Sequence, residues 1–229
     1  MNVTSPSYSA HRAARRYVRP PEPLHFPESE KVPETGIHLL LRTKLFLLVR
    51  EVLAERGAVG SEQFLYWDPA NPRKCLAPDL IVRMGASPDP FPTWKTWERG
   101  APHLAVEIVS PWDTPQRAWR DKLESYRSTG IDEIVRFDPE DAQKPLELWD
   151  RFEGDLVERA LDDGNARHCD TLGLYWHVRQ DEKLGPELWL ARDAHGRDPV
   201  LSSLEQEQSA KEAALARVAE LEAELRRRS

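Results

Sequence analysis

Cysteine is scarce in this chain of 229 residues, which contains only Cys75 and Cys169. Two cysteines are too few for a disulfide framework, and neither stands in the spacing of a metal-ligand pair. Long hydrophobic runs are missing as well, because no apolar segment approaches the roughly 18 residues that a membrane-spanning helix needs. The early arginines are not followed by an apolar segment of the signal-peptide kind. We therefore expect a reduced, cytoplasmic protein with no membrane partner.

An excess of positive charge is also absent, because 32 lysines and arginines stand against 39 aspartates and glutamates, for a formal net charge of −7. This balance counts against a protein that holds nucleic acid by electrostatics alone. It does not exclude a nuclease, since active-site carboxylates add negative charge. One basic strip is present, in Arg12, Arg15, Arg16 and Arg19. A solvated tail explains this strip more simply than a phosphate contact does.

Composition divides the chain into three predicted parts. Six prolines fall within residues 1–33 and predict a proline-rich N-terminal arm without long helices. Residues 34–195 form the predicted globular domain. Residues 196–229 end in a stretch of strong helix formers that lacks glycine and proline after residue 204. Its partial heptad pattern, interrupted by Glu207 and Lys211, predicts a protruding helix; a coiled-coil contact and a single exposed helix docked on the body both remain open.

Hydrophobic periodicity predicts the elements of the globular domain. A helix is expected over residues 35–56 with Gly57 as its stop, and a second from Thr114 and Pro115 to about residue 129, stopped by Gly130. The long loop over residues 85–102 carries tryptophans and basic residues, which either stack on a nucleic acid or anchor the loop to the body. Strands are expected at residues 64–67, 80–83, 103–109, 134–137, 146–151, 156–161, 172–178 and 187–191.

Three charged residues occupy positions where hydrophobic residues are expected. Asp79 opens the apolar run over residues 80–82, and Glu107 lies inside the run over residues 104–109. Lys122 shares a helix face with Trp119 and Tyr126. Burying an ionised carboxylate is costly unless a cation or hydrogen-bond donors compensate it. These positions therefore need an explanation.

Structural and functional explanations compete for this trio. Lys122 could keep its ammonium in water while its stem covers apolar surface, or it could form a buried ion pair with Glu107. Neither arrangement explains why Asp79 also heads an apolar strand. A functional explanation accounts for all three residues. The two carboxylates would bind a hard divalent cation, with Mg²⁺ as the expected ion, and the lysine would neutralise charge on a phosphodiester.

The ordered set of motifs resembles a known family. The resemblance is carried by APD at residues 77–79, EIVSP at 107–111, Lys122 with Tyr126 and Gly130, and DP at 138–139. In these motifs the chain resembles the Uma-type family of predicted restriction endonucleases. That family belongs to the PD-(D/E)XK nuclease superfamily, and the resemblance covers roughly residues 34–192. It implies an α/β fold with a restriction-endonuclease-like mixed β-sheet core flanked by helices, to which the C-terminal protruding helix is added.

The resemblance also implies roles for individual residues. It assigns Asp79, Glu107 and Lys122 as catalytic residues of a metal-dependent DNA endonuclease. The superfamily lysine normally stands two residues after the glutamate, where this chain has Val109, and the family supplies it from the next helix, as Lys122. The implied ligands of Mg²⁺, with Mn²⁺ as the alternative ion, are Glu34, Asp79, Glu107 and the peptide carbonyl of Ile108.

The expected partners follow from the same resemblance. DNA is the expected substrate, and a homodimer is expected because enzymes of this superfamily often dimerise to cut both strands. Two alternatives remain open at this point. One is an inactive nuclease fold that binds nucleic acid or assembles through its C-terminal helix, and the other is a phosphoryl-transfer enzyme for a small substrate.

Overall fold

The computed structural model describes residues 24–26, 35–110, 116–161 and 167–228. The expected ligand Glu34, most of the N-terminal arm and the helix start at Thr114 and Pro115 lie outside the described residues. The elements in chain order are α1 (Gly36–Leu53), β1 (Gly57–Gly60), β2 (Leu65–Tyr66), β3 (Cys75–Leu76), β4 (Leu80–Met84), β5 (Trp94–Lys95), α2 (Thr96–Arg99), β6 (Leu104–Ile108), α3 (Gln116–Thr129), β7 (Glu133–Phe137), β8 (Leu146–Phe152), β9 (Asp155–Glu158), β10 (His168–Cys169), β11 (Leu174–Asp181), β12 (Gly185–Ala191) and α4 (Ser203–Arg228).

The central sheet has six strands in the order β1-β4-β6-β7-β8-β9. Strands β6 and β7 run parallel and the other neighbours in this sheet run antiparallel, so the expected mixed sheet is confirmed. A parallel pair needs a crossover connection, and α3 lies in the segment that joins β6 to β7. Two smaller sheets accompany it, β10-β11-β12 and β3-β2-β5.

The central sheet is covered on both faces. Alternate residues of β6 point to opposite sides, so Val106 packs with α1 and the sheet of β10 to β12, whereas Ala105 packs with Tyr126 of α3. All five residues of β6 are buried, as expected for a central strand with apolar residues on both faces. Glu107 therefore stands in the interior of the domain.

The helix boundaries correct one prediction and confirm another. Gly57 does not stop α1, which ends at Leu53 and continues as a 3₁₀ turn over Ala54–Arg56. Gly57 opens β1 instead, where a Cβ atom would lie 2.4 Å from the carbonyl oxygen of Arg83, so the close approach of the two strands requires glycine. Gly130 does follow the last residue of α3, with the positive φ of 83° that suits a helix stop.

The long loop over residues 85–102 contains the short elements β5 and α2, which the sequence pattern did not predict. Trp94 is buried and its indole Nε1 donates to the Gly100 carbonyl at 2.9 Å, so this tryptophan anchors the segment. Trp97 is exposed and its ring lies 5.7 Å from that of Phe26. The anchoring interpretation therefore holds for Trp94, and a stacking role remains open for Trp97.

The C-terminal helix α4 runs from Ser203 to Arg228 and has no buried residue over that range, which confirms the protruding helix. Its first turn is attached to the body, because the Ser203 amide donates to Glu51 at 2.7 Å and Arg179 donates to Glu205 at 2.6 Å. Among the residues that the structure describes, no helix is long and apolar enough to cross a membrane.

Candidate active site

Glu107 and Lys122 form an ion pair between the sheet and α3. Glu107 is 5% exposed on β6, and its Oε2 lies 2.7 Å from the Lys122 Nζ. The Tyr126 hydroxyl, one turn further along α3, donates to the other carboxylate oxygen. The lysine side chain is 33% exposed, so its ammonium can reach both the buried carboxylate and solvent. The spacing of Lys122 and Tyr126 along the helix places both side chains on one face, from which both donate hydrogen bonds to Glu107.

Asp79 precedes β4 and is fixed to the neighbouring strand. It is 7% exposed, and its Oδ2 accepts the backbone N–H of Ile108 at 2.7 Å. Since Ile108 follows Glu107 directly, the antiparallel pairing of β4 with β6 brings the two carboxylates to the same end of the sheet. The hydroxyl of Ser61 donates to the Asp79 carbonyl at 2.7 Å and holds the backbone at this point. The structure therefore brings Asp79, Glu107 and Lys122 together.

Helix α1 adds two residues that the sequence interpretation missed. His38 places its Nε2 2.9 Å from the Ile108 carbonyl oxygen and 3.4 Å from the Asp79 Oδ1. Arg42, one turn later, lies 4.0 Å from the same carboxylate and 3.2 Å from Glu62. The available signal was their i,i+4 spacing on an otherwise apolar helix. That signal is weak without knowledge of which strand the helix covers.

Burial disfavours the ionised form of Glu107 in this cluster. Burial raises the pKa of the Glu107 carboxyl above its ordinary value; Lys122 opposes this effect, and the nearby charge of Asp79 adds to it. Burial, together with the charge of Glu107, also raises the pKa of the Tyr126 hydroxyl well above its ordinary value. Tyr126 therefore remains a hydrogen-bond donor over the working pH range. A further cation beside Glu107 would favour its ionised form.

The donor atoms fit a hard cation in their chemistry. Carboxylate oxygens of Asp79 and Glu107 and the carbonyl oxygen of Ile108 are the ligand type that Mg²⁺ and Mn²⁺ accept. Within the described ranges, however, no group of three or more histidine, cysteine, aspartate and glutamate side chains stands ready to hold an ion. Both oxygens of Glu107 bond to Lys122 and Tyr126 in this arrangement. Ion binding at Glu107 would therefore compete with these two contacts.

The comparison with protein families decides what kind of chain this is. The model of the Uma2 family, described as "Putative restriction endonuclease", matches residues 28–181, which is more than half of the sequence. The chain belongs to the Uma2 family. This membership and the mixed α/β sheet confirm the expected fold class, and the membership supports a nuclease-type hydrolase that acts on nucleic acid.

Other comparisons add little to the Uma2 assignment. A solved structure titled as a "putative nuclease belonging to DUF820" from Anabaena variabilis ATCC 29413 is similar over 53% of this chain and 72% of its own. Its sequence identity is 16% and its TM-score is 0.39, too low to carry an argument about function. No curated protein matches the chain.

Another buried glutamate, Glu187, lies beside α1. Glu187 of β12 is bonded by both Lys44 and Arg179, and Lys44 also contacts Asp181 at 3.2 Å. Lys44, Asp181 and Glu187 line a cavity of about 330 Å³ between α1, β12 and the start of α4. Asp79, Glu107 and Lys122 do not line this cavity, so its position does not mark the carboxylate pair.

Proposed function

We propose that this Uma2 protein is a divalent-metal-dependent DNA endonuclease that hydrolyses phosphodiester bonds at Asp79, Glu107 and Lys122. The supporting observation is the meeting of two buried carboxylates, one just before β4 and one on β6, with a partly exposed lysine. The 2.7 Å bond from the Ile108 amide to Asp79 fixes one carboxylate, and the 2.7 Å contact with Lys122 marks the other. Such an arrangement of buried like charges is costly, which favours a function over a purely structural role.

Mg²⁺, or Mn²⁺ in its place, would be held by Asp79, Glu107 and the Ile108 carbonyl, with Glu34 as a further proposed ligand. The bound ion supplies Lewis-acid stabilisation of the charge that develops on the phosphate. The residues of the chain supply the positioning. The Ile108 amide orients Asp79, and Tyr126 holds one oxygen of Glu107.

Lys122 has a separate role in this proposal. Once its ammonium leaves Glu107, it donates to a non-bridging phosphate oxygen and helps to position the attacking water. Its partial exposure allows this movement, because only the stem needs to remain packed beside the aromatic residues of α3. His38, whose Nε2 lies near both the Asp79 carboxylate and the Ile108 carbonyl, positions these two oxygens.

The decisive test is plasmid nicking by Glu107→Gln beside the wild type, with Mg²⁺, with Mn²⁺ and with a chelator. Removing one ligand charge should lower cleavage by about 100-fold or more while the protein stays folded. Glu147→Gln is a matched control, because that glutamate lies on β8 and pairs with Arg136 and Lys144 instead. Cleavage by Glu107→Gln at the wild-type rate would refute the proposed site.

The competing function is an inactive nuclease fold that binds nucleic acid or assembles through α4. The exposed apolar residues of α4, such as Leu215 and Leu225, favour this second candidate. Metal calorimetry on the wild type separates the two, since the module needs no ion. Ion binding that disappears in Asp79→Asn/Glu107→Gln supports the nuclease, whereas its absence from the wild type favours the module. We also propose that the nuclease is a homodimer.

A further inference from the structure

Helix α4 presents a row of apolar side chains to solvent. Leu215, Val218, Leu221 and Leu225 are between 42% and 66% exposed. The helix has 26 residues and is therefore about 39 Å long, so most of it extends beyond the attached first turn. Covering such a row is favourable, because apolar surface leaves water. We propose that the last two heptads of α4 pair with the same segment of a second copy in an antiparallel two-stranded coiled coil.

The sizes of the side chains favour the antiparallel direction. The heptad pattern places Ala214, Val218, Leu221 and Leu225 on one seam. In a pair centred between residues 219 and 220, Ala214 faces Leu225 of the second copy and Val218 faces Leu221. Each small residue then meets a large one, which fills the seam. A parallel pair would instead set Ala214 against its own copy and leave a gap there.

Charge complementarity selects a second copy as the occupant. In the same register Arg217 flanks the seam opposite Glu224 of the other helix, and the two-fold axis produces this pair twice. Within one copy these side chains bond to Glu220 and Arg228, both at 2.5 Å along the exposed helix surface. Such exposed pairs contribute little and exchange readily. Charged pairs at flanking positions are the feature that sets partner and orientation in coiled coils.

The attachment of α4 to the body agrees with this direction. The contact between the Ser203 amide and Glu51 fixes the start of the helix, which lies about 25 Å from the centre of the seam. Antiparallel pairing therefore places the two bodies at opposite ends of a rod, whereas parallel pairing would bring them to the same end. At each end of the seam, Lys211 of one copy faces Arg228 of the other. Their long side chains can extend into water, but two facing cations do not continue the apolar seam, so the pairing is limited to two heptads.

Sedimentation equilibrium of the full chain from about 5 to 300 µM, a range that covers weak association, tests this proposal. We expect a dimer whose dissociation constant rises about 10-fold or more in Arg217→Glu and in Glu224→Arg. The double variant R217E/E224R should regain the wild-type value, because the pair is rebuilt with its charges exchanged. This restoration is the result that a general loss of helix stability cannot imitate.

Glu222→Arg is the matched control for orientation. In the antiparallel register this residue faces Leu215 and its reversal should have little effect, whereas in a parallel pair it faces Arg217. Disruption by Glu222→Arg but not by Glu224→Arg would overturn the antiparallel direction. A monomer up to the highest concentration, or a dimer that none of these variants alters, would overturn the pairing through α4. Neither result bears on the proposed nuclease site.

Discussion

The Lys122–Glu107 pair and the Lys44–Glu187 pair combine the same residue types on two sides of the central sheet. In each, a nearly fully buried glutamate on a strand bonds to a lysine on a helix. Glu187 receives a second cation, Arg179, so its charge is met from two directions. Glu107 receives one cation and a neutral tyrosine hydroxyl, and it also lies near the charge of Asp79. The two lysine–glutamate pairs therefore differ in the residues around them and not in the pair itself.

The pKa shifts express the same difference. Burial would lower the pKa of the Lys44 ammonium, but its hydrogen bonds to Glu187 and Asp181 outweigh burial and raise it. This lysine is therefore held firmly in its charged, bonded state. At the other pair, burial raises the pKa of Glu107 in spite of Lys122. We propose that the Lys44 cluster stabilises the fold, whereas the Glu107 cluster serves to bind an ion and a substrate.

The largest expected effect is on cleavage, in Lys122→Met. This change removes the ammonium but keeps most of the stem, so the fold and ion binding should persist while cleavage falls about 100- to 1,000-fold. Arg127→Met is the matched control on the same helix, because that arginine pairs with Glu124 on the exposed face. Equal nicking rates for the two variants would place Lys122 outside the reaction.

The next effect is on stability, in Glu187→Ala. Removing this carboxylate leaves Lys44 and Arg179 without their buried partner, and each retains one other acidic contact. We expect a loss of about 2 kcal/mol, below the usual cost of breaking a buried pair because both cations are partly exposed. Thermal unfolding should then begin about 4–8 °C lower in a domain of this size. Glu158→Ala, at an exposed pair, should change stability by less than about 0.5 kcal/mol.

Activity separates these two variants further. Glu187→Ala should cleave at the wild-type rate well below its unfolding temperature, because its cluster does not touch Asp79 or Glu107. A Glu187 variant that unfolds at the wild-type temperature would show that the second cluster contributes no stability. Loss of cleavage in the folded variant would connect the two clusters and remove the distinction between them.

The sequence predicted the strands and helices that carry the site, because their apolar periodicity is strong. Helix α1, strands β4, β6 and β7, and the face of α3 with Lys122 all agree with the pattern. Strands β1 and β3 were missed because they are short and are defined by pairing with neighbouring strands more than by the pattern of their own residues. Gly57 was misassigned because a glycine after a helix usually marks a stop, whereas here it permits the approach of β4.

The sequence predicted those site residues that are charged and stand at positions where hydrophobic residues are expected. Asp79, Glu107 and Lys122 stood out against apolar surroundings and do lie together, although their catalytic and metal-binding roles stay predictions. His38 and Arg42 could not be selected, because polar residues on a helix are ordinary until the helix is known to cover the site. Lys44 occupied an equally misplaced position in α1, yet it belongs to the other cluster. Local sequence therefore does not distinguish the two lysines.

A smaller effect is expected in His38→Gln. Because His38 contacts both the Asp79 Oδ1 and the Ile108 carbonyl, its loss should loosen the oxygens proposed as ligands. We expect the affinity for Mn²⁺ to fall about 10-fold in calorimetry, the lower end for residues that orient metal ligands. Arg50→Gln, an exposed change on the same helix, serves as the control. Unchanged ion affinity in His38→Gln would leave this histidine a purely structural contact.

The smallest effect concerns the stability of metal-free protein as pH changes, in Glu107→Gln. A carboxyl whose pKa is raised in the folded state favours folding while it is protonated. That contribution is full below the unfolded pKa and is lost as pH rises through the folded pKa. The substituted amide is neutral at every pH and can still accept the Tyr126 hydroxyl, so at pH 8 this variant should unfold at a higher temperature than the wild type.

The pH profile distinguishes this mechanism from a simple change in packing. The advantage of Glu107→Gln should shrink as pH falls toward 4, where the wild-type carboxyl also becomes neutral, and a chelator must be present throughout. Glu187→Gln should instead lose stability at pH 8, because the charge it removes is bonded to two cations. A variant that gives up cleavage and gains stability is the behaviour of a strained functional residue. Parallel losses of stability in both variants would make Glu107 a second structural ion pair.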